Sequence, residues 1–274
     1  MVTGLKNILV PVNFTARNSW ALQKATEMAN TFHAHIHLVH VIRSRSSSIF
    51  WHNNTVAMQR ATERLLALKD EYRPQICSKS NIEISVIEGN PAEALASYMQ
   101  QYKMDLVVIG IPRFSIFHHL RSSFSIYNTV QRTGVPVLAV KHDGLVSHFK
   151  KIVVPMNDSD YALQVKLAAM LGKHFRSTIY LLSLRGSNGE PDHISIMQSM
   201  ETIHKMAAIP VQTVTLEDAN LASGTLRFSK KINADLILIN PAREFILPGL
   251  WNRLTRKLLS YDSGIPVVTV PQIA

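Results

Sequence analysis

The chain repeats itself, and this constrains its fold more than any other feature. Lys6-Asn7-Ile8-Leu9-Val10-Pro11-Val12-Asn13 returns as Lys150-Lys151-Ile152-Val153-Val154-Pro155-Met156-Asn157. Asp105-Leu106-Val107-Val108-Ile109-Gly110 returns as Asp235-Leu236-Ile237-Leu238-Ile239-Asn240. Gly134-Val135-Pro136-Val137-Leu138-Ala139-Val140 returns as Gly264-Ile265-Pro266-Val267-Val268-Thr269-Val270. The spacing from Gly110 to Gly134 equals that from Asn240 to Gly264. Each copy is far longer than a solenoid unit, so each is expected to be a domain with its own core. A length of 274 residues agrees with two domains, at a typical size of about 100–200 residues each. The expected domains are 1–145 and 146–274, with the break near residues 143–148.

Within the first copy, residues 8–12, 36–41, 82–87, 106–109 and 135–140 are β-branched-rich runs of strand length. The segments between them have helical spacing. Ala21, Ala25, Met28, Ala29 and Phe32 fall on one stripe, and Leu163, Leu167, Met170, Leu171 and His174 repeat it with a small shift of register. Thr15 and Ser159 are expected as helix N-caps, because a hydroxyl accepts from the free amides of a first turn. Strands apolar on both faces, alternating with helices, predict an α/β fold of two tandem doubly wound domains, each a five-stranded parallel sheet flanked by helices. Ligands in such sheets sit beyond the carboxyl ends of the strands. The turns after Val12, Val41 and Ile109, and after Met156, Leu184 and Ile239, are therefore the places to search.

Composition narrows the class. No apolar run reaches the roughly 18–20 residues that span a bilayer, so no membrane insertion is expected. The segment 8–12 after Lys6 is too short for a secretory leader, and a cytoplasmic location is expected. The single cysteine, Cys77, excludes an internal disulfide and argues against a cysteine-based zinc site. The net charge of +10 has no basic run of five or more behind it and no aromatic-interleaved basic stretch, so nucleic-acid binding is not expected.

Several of these residues together resemble the universal stress protein family in its tandem two-domain form. The likeness lies in Ile8-Leu9-Val10-Pro11-Val12-Asn13-Phe14-Thr15 before a helix, in Glu88-Gly89-Asn90-Pro91-Ala92, and in the strand blocks of both copies. The resemblance covers essentially the whole chain. It implies an adenine nucleotide alpha hydrolase-like sheet in each copy and pairing of two such domains. Members that bind ATP carry G-x2-G-x9-G-[ST] after the fourth strand, where small residues let backbone amides cradle phosphate. Here Gly110 fits the first glycine, but Arg113, Ser123 and Phe124 hold the other positions. In the second copy the four positions read Asn240, Arg243, Arg253 and Leu254. The aspartate after the first strand, near the nucleoside end of the family's pocket, is Asn13 and Asn157 here, which hydrogen-bond without charge. The resemblance thus supports the fold and disfavours ATP; no cofactor is expected.

Other candidates are weaker. His33, His35 and His37 alternate, which places three imidazoles on one strand face or its approach, with His40 opposite. Two same-face histidines make a feasible metal clamp; three along one strand are strained, and no metal is expected. His118-His119 beside Arg121 reads as surface. Cys77 has no histidine beside it in sequence and reads as an unreactive thiol. Ser44-Arg45-Ser46-Ser47-Ser48 is a polar loop. No G-x-S-x-G elbow, Walker A, H-E-x-x-H or Rossmann fingerprint occurs, so no catalytic residue is assigned.

The expected function is therefore a non-enzymatic stress-response protein acting through protein contacts. The alternative is a nucleotide- or anion-binding sensor whose pocket is rebuilt from Arg113 and Arg243, with Arg121, Arg253, Arg256 and Lys257 following nearby, since guanidinium groups bind phosphate bidentately. A nucleotide hydrolase ranks last, because no carboxylate cluster follows the fourth strands. Phe50-Trp51, apolar in a polar loop, suggests self-association, and a homodimer is expected.

Overall fold

The computed structural model describes residues 4–43, 51–111, 126–141, 148–156, 161–184, 193–217, 221–240 and 264–271. The first copy contains β1 (Asn7–Pro11), α1 (Arg17–Phe32), β2 (His35–Ile42), α2 (Trp51–Tyr72), a short 3-10 turn (Arg73–Gln75) and β3 (Ile82–Glu88). It continues with α3 (Pro91–Gln101), β4 (Leu106–Gly110), α4 (Ile126–Thr133) and β5 (Val137–Val140). The second copy contains β6 (Lys151–Pro155), α5 (Ala162–Phe175), β7 (Thr178–Leu184), α6 (His193–Met206), β8 (Val211–Leu216), α7 (Leu221–Ile232), β9 (Leu236–Ile239) and β10 (Val267–Thr269). Among the described residues, no helix is long and apolar enough to cross a membrane.

By compactness, the described residues form two units, one beginning with Leu5–Ile111 and running to Val137, the other from Leu138 onward. The repeat boundary of 145/146 instead keeps β5 with the first copy, as the equivalence of Val137-Leu138-Ala139-Val140 with Val267-Val268-Thr269-Val270 requires; it stays a proposal.

In the first unit the strands run in the order β3-β2-β1-β4, all parallel. The Val107 amide then donates to the Pro136 carbonyl at 2.9 Å, on the approach to β5. In the second unit the order is β8-β7-β6-β9-β10, again parallel, and the Ile237 amide donates to Pro266 at 3.0 Å. The expected parallel α/β architecture is therefore present. The apolar runs form strands because both faces are covered: Ile8, Leu9 and Val10 in β1, and Ile152, Val153 and Val154 in β6, are fully buried. The last run of the first copy starts its strand at Val137 rather than Val135, after the residue that lacks an amide, Pro136.

The repeated aspartates explain themselves structurally. Asp105 Oδ2 accepts from the amides of Lys6 (2.7 Å) and Asn7 (2.9 Å), which fixes the start of β1 beside β4. Asp235 Oδ2 accepts from Lys151 at 2.9 Å and does the same for β6. The backbone repeats too. α1 and α5 both end on a left-handed residue, His33 (φ 56°) and Arg176 (φ 53°), whose amides donate to Ala29 and Gly172. The turns before β4 and β9 likewise use Lys103 (φ 48°) and Asn233 (φ 52°). In α5 the buried end of the stripe is Phe175 rather than the expected His174, in line with Phe32 when the helices are matched at their left-handed ends.

α3 opens as its sequence suggests: Asn90 Oδ1 accepts from the Ala92 amide at 3.0 Å, Pro91 occupies the first turn, and Gly89 (φ 143°) makes the bend. The cap expected from Thr15 is not made. The Thr15 hydroxyl donates to Asn13 Oδ1 at 2.7 Å, and α1 starts at Ala16 with no side-chain cap. The Asn18 side chain takes over the turn, because its carbonyl is buried where the free amides converge. Ser159 lies outside the described residues.

Candidate functional site

The place to look is the carboxyl end of the first sheet, where β1 turns into α1. Asn13, the residue standing where the family's aspartate would be, is engaged locally. Its Oδ1 accepts from the Thr15 hydroxyl (2.7 Å) and from the Thr15 amide (3.3 Å). Buried Asn18 completes the turn: Oδ1 accepts from the amides of Asn13 and Thr15, each at 3.1 Å, and Nδ2 donates to the Pro11 carbonyl at 3.0 Å. The turn is thus closed on itself by its own side chains.

Phe14 sits at φ 56°, a left-handed conformation that is costly for a bulky residue. Its ring meets a second ring and a guanidinium. The His40 ring, from β2, lies 4.7 Å away centroid to centroid, tilted by 44°. The Arg64 guanidinium, from α2, lies 4.0 Å from the Phe14 centroid, in cation–π geometry. His40 is fixed by Nδ1–H donating to the Val12 carbonyl at 2.7 Å; the carbonyl only accepts, so this nitrogen carries the hydrogen. Phe14, His40 and Arg64 therefore form a cluster next in sequence to Asn13.

Gly110, the one motif glycine present, is required by packing. A Cβ added there would meet the Arg17 carbonyl oxygen at 2.1 Å, so the start of α1 rests directly on the end of β4. In the second copy, Asn240 is buried at the end of β9. Gln164, at the position Ala21 holds in α1, donates from Nε2 to the carbonyls of Leu238 (2.9 Å) and Pro155 (3.3 Å), bridging the carboxyl ends of β9 and β6. Arg113, Ser123, Asn157, Arg243 and Arg253 lie outside the described residues, as do Phe124 and Leu254. The same holds for residues 44–48, His118, His119, Arg121 and Phe50; of Trp51, only the backbone is described.

The histidines divide differently from the expectation. His33 is not on a strand: α1 runs to Phe32, and His33 is its left-handed cap. Only His35 and His37 share a face of β2, and His40 faces the other way. Among the described residues, no group of three or more His, Cys, Asp or Glu is placed to hold a metal. The cap instead carries His33 to Cys77, with Nδ1 and Sγ 3.6 Å apart, so the thiol does have a histidine neighbour. Ser80 Oγ is 3.3 Å from the same sulfur, and the Cys77 amide donates to Asn30 Oδ1 at 2.8 Å. The Ser80 hydroxyl, then the His33 imidazole, lower the thiol pKa to about 7. On the α3 side, buried His37 places Nδ1 3.1 Å from the Tyr98 hydroxyl and 3.5 Å from Glu83 Oε2. Tyr98 in turn lies 3.1 Å from Ser85 Oγ. Burial pushes the His37 pKa below its ordinary value, against the opposing pull of Glu83.

Sequence reasoning missed Asn18, Phe14, His40 and Arg64. The Asn13-Phe14-Thr15 run followed by Asn18 carries a turn signal, since Asx side chains bond nearby backbone. Nothing local in the sequence pairs Phe14 with Arg64 on α2.

Comparison with known proteins agrees with this architecture. The sequence pattern of the Universal stress protein family matches residues 4–141, half of the chain, and the chain belongs to that family. A universal stress protein from Archaeoglobus fulgidus DSM 4304 superposes with a TM-score of 0.76 at 17% identity, covering 97% of this chain and 96% of that one. A Pseudomonas aeruginosa UCBPP-PA14 protein assigned to the same family superposes with a TM-score of 0.62 at 14% identity, over 98% and 94% of the chains. The cytoplasmic domain of a prokaryotic cation chloride cotransporter superposes with a TM-score of 0.56 at 11% identity, over 98% and 96%. At these identities the likenesses define the fold. No curated protein matches the chain in sequence.

Proposed function

We propose that this universal stress protein acts without catalysis and without a bound nucleotide, through contacts with a protein partner or a second copy of itself, in the cytoplasm. The single observation that carries this reading is the self-filled strand end. Phe14 contacts both His40 and Arg64, next to an Asn13 already bonded to Thr15. A nucleoside entering there has to displace a ring and a guanidinium and break the turn. Gly110 supports the same reading, because its lack of a side chain accommodates Arg17 and does not by itself indicate a phosphate cradle.

The test is the small-molecule content of the protein. Full-length protein purified without added nucleotide, then denatured and analysed by mass spectrometry, is expected to release no stoichiometric nucleotide. Release of a nucleotide at near one equivalent contradicts the reading and favours the arginine-rebuilt pocket.

A further inference from the structure

The chain Ser85–Tyr98–His37 joins three elements on the α3 side of the first sheet. His37 is on β2, its register partner Glu83 and the nearby Ser85 are on β3, and Tyr98 comes from α3. The spacing is uniform, 3.1 Å from Nδ1 to the phenol oxygen and 3.1 Å from there to Ser85 Oγ. Serine and tyrosine hydroxyls both donate and accept, so such a chain can run in either direction. His37 is 4% exposed, whereas the Glu83 side chain is half exposed and lies 3.5 Å from Nδ1.

We propose that this chain is a proton-operated switch whose polarity reverses when His37 takes up a proton at Nδ1. In the neutral state Nε2 carries the hydrogen, Tyr98 donates to bare Nδ1, and Ser85 donates to Tyr98. A proton from solvent reaches Nδ1 past the half-exposed Glu83 carboxylate. Nδ1–H then becomes a donor, Tyr98 turns its hydrogen to Ser85 Oγ, and Glu83 closes on the imidazolium, tying β2 to β3 through charge. The buried imidazole and phenol each keep a partner in both states, and the hydrogen freed by the reversal is that of the part-buried Ser85 hydroxyl, which allows a buried histidine to titrate without unfolding its surroundings.

One neighbouring group opposes the proton. On β2, His35 lies two residues away on the same face and disfavours a second positive charge. The β1 partner of His37 is Leu9. From α3, Tyr98 and Tyr102 face the imidazole, with centroids 6.0 and 5.8 Å away, while Glu93, Lys103 and α4's Arg132 are exposed. Asp105 is bonded to the amides of Lys6 and Asn7.

The experiment is a histidine 15N NMR titration of the full-length protein, wild type beside Ser85→Ala and Glu83→Gln. The proposal expects neutral His37 with a bare Nδ1 and a midpoint below 6.5. Ser85→Ala touches nothing on the imidazole and removes one hydrogen bond in each state, but only in the charged state does it leave the turned Tyr98 hydrogen, a buried donor, without an acceptor. It is therefore expected to lower the midpoint by about half a pH unit. Glu83→Gln is expected to lower it by a similar, about half-unit, shift through loss of the carboxylate. A neutral form with hydrogen on Nδ1, or a midpoint unmoved by Ser85→Ala, overturns the switch. A midpoint unmoved by Glu83→Gln overturns the closing of the carboxylate.

Discussion

Arg64 holds its guanidinium 4.0 Å from the centre of the Phe14 ring, tying α2 to the turn that follows β1. Phe14 meets it from a left-handed backbone, at φ 56°. A left-handed residue of this kind at a strand end lies where ligands bind in such folds. Arg64→Ala is expected to cost about 0.5–1 kcal/mol, the range for an exposed cation–π contact, read as a lower urea midpoint at unchanged slope. An unchanged midpoint means that the stack holds nothing together.

Gly110→Ala separates packing from ligand binding. The added methyl meets backbone at 2.1 Å, where no side chain can swing away. The variant is expected to lose about 1–3 kcal/mol in urea unfolding, since α1 must shift off β4. Stability equal to the wild type contradicts the packing role and leaves a ligand-binding reason for this glycine.

Cys77 is expected to behave as a half-ionised thiol at neutral pH. Its pKa is lowered to about 7, first by Ser80 and next by His33. The rate of alkylation by iodoacetamide then rises with a midpoint near pH 7, and both Ser80→Ala and His33→Ala move that midpoint upward. A profile centred at the ordinary thiol value shows that the three groups do not meet in solution.

Stability is expected to fall in mild acid. Burial depresses the pKa of His37, and also that of His174 on α5, so between the depressed values and 6.5 the unfolded chain binds protons that the folded chain does not. The contribution of neutral histidine is complete above pH 6.5 and is lost as pH falls through the folded-state values. Thermal melts should show Tm declining below pH 6.5, less steeply in His37→Gln; an equal decline in that variant excludes His37 as a source.

The strands were legible in the sequence because a parallel strand covered on both faces reads as an unbroken apolar run, as Leu106-Val107-Val108-Ile109 does. The repeat made the second copy legible from the first, down to Asp105 and Asp235. The turn after β1 was not legible in detail, because its side chains bond back into the turn and not forward into the helix. Thr15 had the right chemistry for a cap, but its hydroxyl donates to Asn13, while Asn18, one turn into the helix, accepts from the Thr15 amide from a buried position. The meeting of His33 with Cys77, 44 residues apart, depends on a left-handed cap at a residue that is not glycine. No periodicity reports such a cap. Arg64 and Phe14 were invisible for the related reason that one sits on a helix and the other in a turn, joined only by the crossover of α2.

The central claim is that the strand ends of this universal stress protein no longer take a nucleotide, and Mg-ATP titration calorimetry on the full-length protein tests it most directly. The account predicts no heat of binding at tens of micromolar protein, consistent with Phe14 engaged by both His40 and Arg64 and with Asn13 bonded to Thr15. Saturable micromolar binding that disappears in Arg113→Ala or Arg243→Ala contradicts it and establishes the rebuilt anion pocket in its place.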